Sequence, residues 1–489
     1  MNKLLKLLCG ISAAVVLFAG VPSIADDGGS DGKDGKSVRG KSLEERIREL
    51  EEKLKDVGYT GVKGSGIKLS GYVDTGYQVN LRGNGSSSPT AGAGGPAFGN
   101  SANFSGGRMF DTQQDEFTLH AVKLTLEKDK DDSDFPAGFR VDLLYGADAN
   151  QLNNRAIATA FGARDNFEND SDFYLEQAYV NLGLPVGDGV DVKIGKMVTL
   201  IGYEVIESPA NANFSRSFGF ALAPFTQTGV TFGYNINEYI TATMGLINGV
   251  DNSDFGVSAV NGAGNSNTEL SGVYRVDVKS PDWSWGNFNL GVSGLFGNDS
   301  TVDVTAGAPG NGGTNLADNS TGILITDVAG TWAKVFGHEP LSLGFEVYIE
   351  NQTQRTVLAA ANTRQDDRDD LTAALYAKYQ VTDWLFFAGR GEYWNADDRS
   401  AGAVGIFSTG PGAAPGLGTA SGNHIDVWEG TLTAGFNVWK DTLVRLEWRH
   451  DEVGGKDNGF INEQSLNNTA GPQLRRGQDT IAVNVAYSF

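Results

Sequence analysis

Thiols are almost missing from this chain of 489 residues. Its single cysteine, Cys9, lies in an apolar run near the amino-terminus without the small-residue context of a lipidation site, so disulfides are excluded. Histidine is nearly as scarce, and the four present (His120, His338, His424, His450) form no cluster with metal-ligand spacing. His450 beside Asp451 is the best candidate for a catalytic pair. Strand parity points it outward, however, and no G-x-S-x-G elbow accompanies it, so no catalytic residue is assigned. Positive charge is in deficit: 38 Lys and Arg face 60 Asp and Glu, a formal charge of −22. That removes nucleic acid as a partner, because its phosphates require a basic footprint. No phosphate-cradling Gly loop stands in a strand-to-helix context, and no cofactor or metal is expected. Beyond the first twenty-odd residues there is no long apolar run, and mean hydropathy is −0.25. Any membrane signal is therefore diluted over short segments that a long hydropathy window averages away.

What the chain does have is alternation. Ile481 to Phe489 puts Ile481, Val483, Val485, Tyr487 and Phe489 on one face and Ala482, Asn484, Ala486 and Ser488 on the other. A strand wetted by lipid on one side and by a polar lumen on the other needs that period of two. An amphipathic strand ending on an aromatic carboxy-terminus resembles the closing strand of bacterial outer-membrane barrels, where it is the signal read by the barrel assembly machinery.

About sixteen such segments follow Gly66. They are Ile67–Asn80, Asp115–Lys128, Ala137–Ala147, Phe173–Gly183, Gly189–Met197, Gln227–Asn235, Tyr239–Asn248, Glu269–Lys279, Gly286–Phe296, Thr321–Val335, Leu341–Asn351, Asp370–Gln380, Asp383–Tyr393, His424–Val438, Thr442–Asp451 and Asp479–Phe489. Short connections such as Val381-Thr382 alternate with long polar ones such as Leu81–Gln114 and Trp394–Asn423. A meander with tight turns at one end and long loops at the other implies an all-β fold, a transmembrane antiparallel barrel over residues 67–489.

If each strand turns its more apolar face to lipid, a set of charges of both signs is left inside. It comprises Lys123 and Glu127, Arg140 and Asp142, Arg275, Asp277 and Lys279, Glu346 and Glu350, Arg390 and Glu392, Glu429, and Arg445, Glu447 and Arg449. Each Arg or Lys moved to the lipid face near the midplane would cost roughly 2–4 kcal/mol, so the register is strongly chosen. These charges either line a water-filled pore or form ion pairs that hold a filled barrel rigid; a barrel of about sixteen strands leaves a channel unless something plugs it. Tyr239, Trp384, Tyr393, Trp428, Trp439 and Trp448 suit interfacial belts. Phe173 to Gly183 breaks the rule, because Glu176 shares the face of Tyr174, Ala178 and Val180. A bulge or a protein-covered patch is expected there.

The third long connection, residues 198–226, is poorer in Gly and Asp than the others and carries Ile201, Val205, Ile206, Phe214, Phe218 and Phe220. Such residues are costly to leave together in water, so the loop is expected to fold against the inner wall and narrow the pore. Tyr203, Glu204, Glu207 and Arg216 are the candidate constriction residues. Glu204 and Glu207 facing Arg390, Arg445 and Arg449 would set up a transverse field; alternatively, the two carboxylates are bonded to backbone groups that fix the loop.

The amino-terminus supplies an address: Lys3 and Lys6, the apolar run Leu7 to Gly20, and Ser23-Ile24-Ala25 as a small-x-small cleavage site before Asp26. Residues 1–25 are expected to direct Sec export and be removed, and residues 26–41 to form a disordered linker. Over residues 42–57, Leu43, Ile47, Leu50, Leu54 and Val57 recur at helical spacing, with Ser42 and Glu45 as a capping box. This short periplasmic helix either pairs as a coiled coil in a homotrimer or lies on the barrel rim.

The run K-I-G-K-M-V-T-L-I-G-Y-E-V-I-E-S-P-A-N-A-N-F-S-R-S ends at Ser217 and is followed by P-F-T-Q-T-G-V from Pro224. With N-G-V-D at Asn248–Asp251 and E-W-R-H-D at Glu447–Asp451, it resembles the OmpL-like β-barrel porins of Gram-negative bacteria over roughly Gly66 to Phe489. Gln227 stands where His would be expected, which bears on loop packing more than on class. The resemblance implies an outer-membrane barrel with pore activity and names no substrate. The expected function is therefore passive diffusion of small hydrophilic solutes and ions, with a preference for cations. The alternative is a structural or adhesive barrel, seated in outer-membrane lipid, with a plugged lumen.

Overall fold

The computed structural model describes residues 66–81, 108–131, 133–154, 172–248, 270–300, 320–354, 368–397, 406–408, 424–455, 458–461 and 474–489. The expected leader, linker and helix at residues 1–57 lie outside them. In chain order the strands are β1 (Ile67–Asn80), β2 (Glu116–Lys128), β3 (Ala137–Tyr145), β4 (Phe173–Leu184), β5 (Val190–Val198), β6 (Thr226–Asn235), β7 (Ile240–Ile247), β8 (Ser271–Lys279), β9 (Asn287–Ser300) and β10 (Ser320–Ala333). They continue with β11 (Leu341–Gln354), β12 (Arg368–Thr382), β13 (Leu385–Asp397), β14 (Ile406–Ser408), β15 (His424–Phe436), β16 (Thr442–Val453), β17 (Asn458–Ile461), β18 (Leu474–Arg475) and β19 (Gly477–Ser488). Sixteen of them close an antiparallel barrel, each paired with its neighbours along the chain once the short β14, β17 and β18 are set aside. Those three form a small separate sheet in the long connections, which the alternation did not foreshadow.

Every one of the sixteen expected segments is a barrel strand, with ends displaced by a few residues. β1 and β19 close the seam from Tyr72 opposite Ser488 to Asn80 opposite Thr480. Beyond the last ladder pair, Gly71 and Phe489 exchange backbone hydrogen bonds of 3.0 and 2.9 Å. A Cβ on Gly71 would lie 2.1 Å from the Lys123 carbonyl oxygen and 2.8 Å from the Phe489 ring, so the missing side chain lets both β2 and the terminal aromatic approach.

Burial is inverted relative to a soluble protein. Leu375, Leu432 and Phe387 are 69 %, 62 % and 52 % exposed, whereas Arg445, Glu346 and Arg390 are 0 %, 1 % and 3 % exposed. Apolar side chains outside and ionic ones inside suit hydrocarbon around the wall. At the irregular strand β4, Asp142 opposes Gln177 while Leu143 opposes Leu175, so Glu176 is the extra residue of a bulge. The bulge turns both Glu176 and Gln177 inward.

The inner face is not ionic throughout. Ile323 and Ile325 on β10, Leu295 on β9, Val273 on β8 and Ile247 on β7 point into the loop end of the lumen, where they pack with Phe218 and Leu222. The expectation of a polar lumen is corrected here, because inserted loop residues cover the wall where these side chains stand. A second apolar cluster joins Phe110, Phe220, Phe225 and Ile206 to Leu152 of helix α1 (Ala147–Asn154).

Candidate functional site

Residues 199–225, between β5 and β6, fold into the barrel and cross it. The short helix α2 (Phe218–Leu222) sits in this loop, its amino-terminus capped by Ser217, whose side chain accepts a hydrogen bond from the Phe220 backbone N–H. The wall recognises the loop through its backbone. Glu447 accepts the N–H groups of Phe214 and Ser215 at 2.6 and 2.8 Å, and Glu392 those of Phe218 and Gly219 at 2.6 and 2.8 Å. Glu346 accepts from Tyr203 at 2.9 Å, and Asp327 from Gly202 at 3.2 Å.

Guanidinium groups take carbonyls of the same loop. Arg445 Nη1 donates to the carbonyls of Ser208, Asn211 and Asn213, all at 3.0 Å. Arg390 Nη1 donates to the Ser215 carbonyl at 2.9 Å and to Glu204 at 2.8 Å, while its Nε reaches Glu429 at 3.0 Å. Arg449 donates to the Arg216 carbonyl and to Asp451. Arg275 Nη1 holds the Leu200 carbonyl at 2.7 Å, and its Nε is paired with Asp277 at 2.9 Å. Charge-assisted bonds to buried peptide groups are individually strong, so the loop is held on several sides.

Glu204 and Glu207 are open to two readings on sequence alone, a field across the pore or carboxylates that fix the loop, and both side chains have close partners in the structure. The Glu204 and Arg390 side chains are 3 % and 0 % exposed and touch each other, and Glu204 also accepts the Ser217 N–H at 2.7 Å. Buried charges with loop backbone between them are paired rather than left facing space. Glu207 reaches Lys123 at 2.5 Å, and Lys123 also meets Glu176 at 2.8 Å and Asp142 at 3.1 Å. Burial works against the Glu207 carboxylate, yet Lys123 holds its pKa below the usual value. Arg216 is spent on the loop's own carbonyls, those of Val205, Phe214 and Ile206. Arg140 bonds Asp142 at 3.0 Å and Glu127 at 3.3 Å, and Glu350 accepts from Tyr348 and Gln352, both at 2.6 Å.

Tyr203 stacks on Tyr376 with centroids 4.2 Å apart. Its phenol is pushed up to about 12 by burial, then by Glu204 and Glu346. Sequence reasoning missed Asp327, and it placed Asn484 on the inner face without giving it a role. It also missed Arg108, which joins Asp451 at 2.9 Å and Asp111 at 2.5 Å from within a long connection that carries no periodic signal. His450 pairs with Asp479 at 2.8 Å, not with Asp451, whose carboxylate Arg108 and Arg449 hold.

On the turn side of this belt lies an open space of about 960 Å³ between the first limb of the loop and the wall. Asn289, Thr331, Ser342 and Lys378 line it, with Tyr203 at its inner end and Trp439 near the turns.

A closed antiparallel barrel, apolar outside and ionic inside with its third long connection folded inward, is a transmembrane β-barrel of the porin class. The chain belongs to the family described as "Putative beta-barrel porin-2, OmpL-like", which it matches over residues 66–489. Family and fold place it in the outer membrane and point to a channel rather than an enzyme. No curated protein matches it. Among solved structures it is similar to the outer membrane channel DcaP of Acinetobacter baumannii, at 11 % identity and TM-score 0.48, covering 88 % of this chain and 100 % of that one. It is also similar to the anion-selective porin from Comamonas acidovorans, at 12 % identity and TM-score 0.46, covering 86 % and 99 % of the two chains. A third similar structure is Salmonella typhi OmpF in complex with daunomycin, at 11 % identity and TM-score 0.46, with 88 % and 99 % covered.

Proposed function

We propose that the barrel passes small hydrophilic solutes and ions by passive diffusion and prefers cations. One observation carries the preference: among the described residues, fourteen Asp and Glu side chains are buried against seven Lys and Arg. A surplus of acidic groups around the passage favours cations over anions. Tyr203, Glu204, Glu207 and Arg216 belong to the loop that sets the width of the passage, and the wall charges hold that loop in place.

The wider reading is a homotrimer exported through residues 1–25. Its linker covers residues 26–41, its helix at 42–57 pairs between copies, and its last strand, ending at Phe489, is delivered by the assembly machinery. Planar-bilayer recording tests the pore itself. Stepwise conductance with a cation-side reversal potential in a potassium chloride gradient is expected, and an anion-side potential overturns the preference. The apolar clusters at the loop end favour the second reading, a plugged structural barrel. The absence of current at any voltage would establish that reading instead.

A further inference from the structure

The space on the turn side of the loop has a chemistry of its own. We propose that it is a binding site for a neutral sugar of one to three rings; this rests on the pore reading, since it names the solute class met on the way through. At about 960 Å³ it falls near the upper end of small-molecule sites, which span roughly 300–1,000 Å³. Small residues on three adjacent strands, Gly291, Ala329 and Gly344, line it, and the wall gives place there to the Arg275 guanidinium and the Tyr203 phenol, which a Cβ on Gly291 or Gly344 would meet at 2.6 and 2.3 Å.

Charge matching argues against an ionic solute. Arg275 is paired with Asp277 at 2.9 Å and Glu204 with Arg390 at 2.8 Å. Asp441, at the rim, has Lys440 at 3.7 Å. Lys378 lies 4.3 Å over the Phe386 ring, whose quadrupole attracts the ammonium. A cation leaving water here would find the lining carboxylates already engaged, and an anion would find only the Lys378 ammonium over the Phe386 ring, so desolvation would oppose both.

Hydroxyl and amide groups remain. Asn289 and Asn437 are exposed, and among the described residues the Asn289 side chain makes one bond, a long one of 3.4 Å to Thr331. Planar amides and hydroxyls both donate and accept, as sugar hydroxyls require. The half-buried Tyr203 ring at the inner end and the exposed Trp439 ring near the turns offer faces to the C–H side of a pyranose, whose partial positive charge an aromatic quadrupole attracts. Amides between two aromatic ends fit a sugar better than an apolar molecule or an ion.

The test uses the full barrel in detergent micelles, titrated calorimetrically with sucrose and maltotriose, with sodium glutamate and arginine chloride as ionic comparators. Saturable millimolar binding of a sugar is expected, weakened at least fivefold by Asn289→Ala with Thr331→Ala. Tryptophan fluorescence should shift on binding, and Trp439→Phe should remove that shift. Tighter binding of glutamate or arginine than of either sugar, or no saturable binding by any of the four, overturns the proposal. Current recordings separate the two readings. Ion current that no sugar reduces, together with no binding, leaves the pore standing without this site; binding without current leaves the site standing without the pore.

Discussion

Arg445 and Asn484 face each other across β16 and β19, and the guanidinium Nε donates to the Asn484 side-chain carbonyl at 3.0 Å. The amide nitrogen of Asn484 in turn donates to Asp74. A neutral amide thus relays between a buried cation and a buried anion, which leaves the rest of the guanidinium free to hold loop carbonyls. Replacing Arg445 with Ala would leave the Ser208, Asn211 and Asn213 carbonyls without this donor, at about 1–3 kcal/mol for each one that stays buried. The loop should then move from the wall, so single-channel conductance is expected to rise by a factor of about two or more and the thermal transition to fall. Lys at this position keeps the charge without the fork and should give an intermediate conductance. Unchanged conductance in Arg445→Ala would mean that the loop holds its place without the clamp.

Glu204 and Arg390 should behave as a unit. Glu204→Gln leaves the Arg390 charge with Glu429 as its remaining carboxylate contact at 3.0 Å, so the reversal potential should move toward the anion side. Removing both charges in Glu204→Gln with Arg390→Met should restore most of the cation preference, giving a non-additive cycle. Additive shifts would mean that the two groups act on the ion stream separately.

Gly344 is a seat for a loop side chain. A Cβ there would lie 2.3 Å from the Tyr203 hydroxyl and 2.6 Å from its ring, closer than any real contact. Gly344→Ala should therefore lift Tyr203 off Tyr376 and lose part of the stacking, worth about 0.5–1.5 kcal/mol. Increased open-channel noise and faster proteolysis near residue 203 are the expected readouts. A variant as quiet and as resistant as the parent would show that the wall yields instead.

The strands were legible because lipid outside and polar groups inside impose a period of two on every one of them. Even the Glu176 bulge announced itself as a break in that period. Parity says that Arg445 or Glu447 points inward; it cannot say whether water or peptide meets it there. Arg445 and Ser208 are 237 residues apart in sequence, and a backbone carbonyl leaves no mark on residue type. The inward Ile323 and Ile325 were hidden for a related reason. They flank the outward Leu324, so local alternation vanishes wherever loop residues make the inside as apolar as the outside.

Acidity should act on the docking of α1. Asp148, in its first turn, is buried, and burial pushes its carboxyl up to about 6 from an ordinary 3.8, even though His120 at 3.6 Å works the other way. A carboxyl with a raised pKa favours the docked helix while it is protonated. The contribution is complete below the undocked value near 3.8 and is lost as pH rises through about 6. Two units correspond to about 3 kcal/mol at most, spread over that window. Amide exchange of Ala147–Asn154, corrected for intrinsic rates, should be slower at the acid end of the window than above it. Asp148→Asn, neutral at every pH, should flatten the profile while keeping the helix in place. Equal protection at both ends in the parent barrel would mean that the carboxylate is solvated in the docked state, and that the helix is held by Leu152 and its apolar neighbours alone.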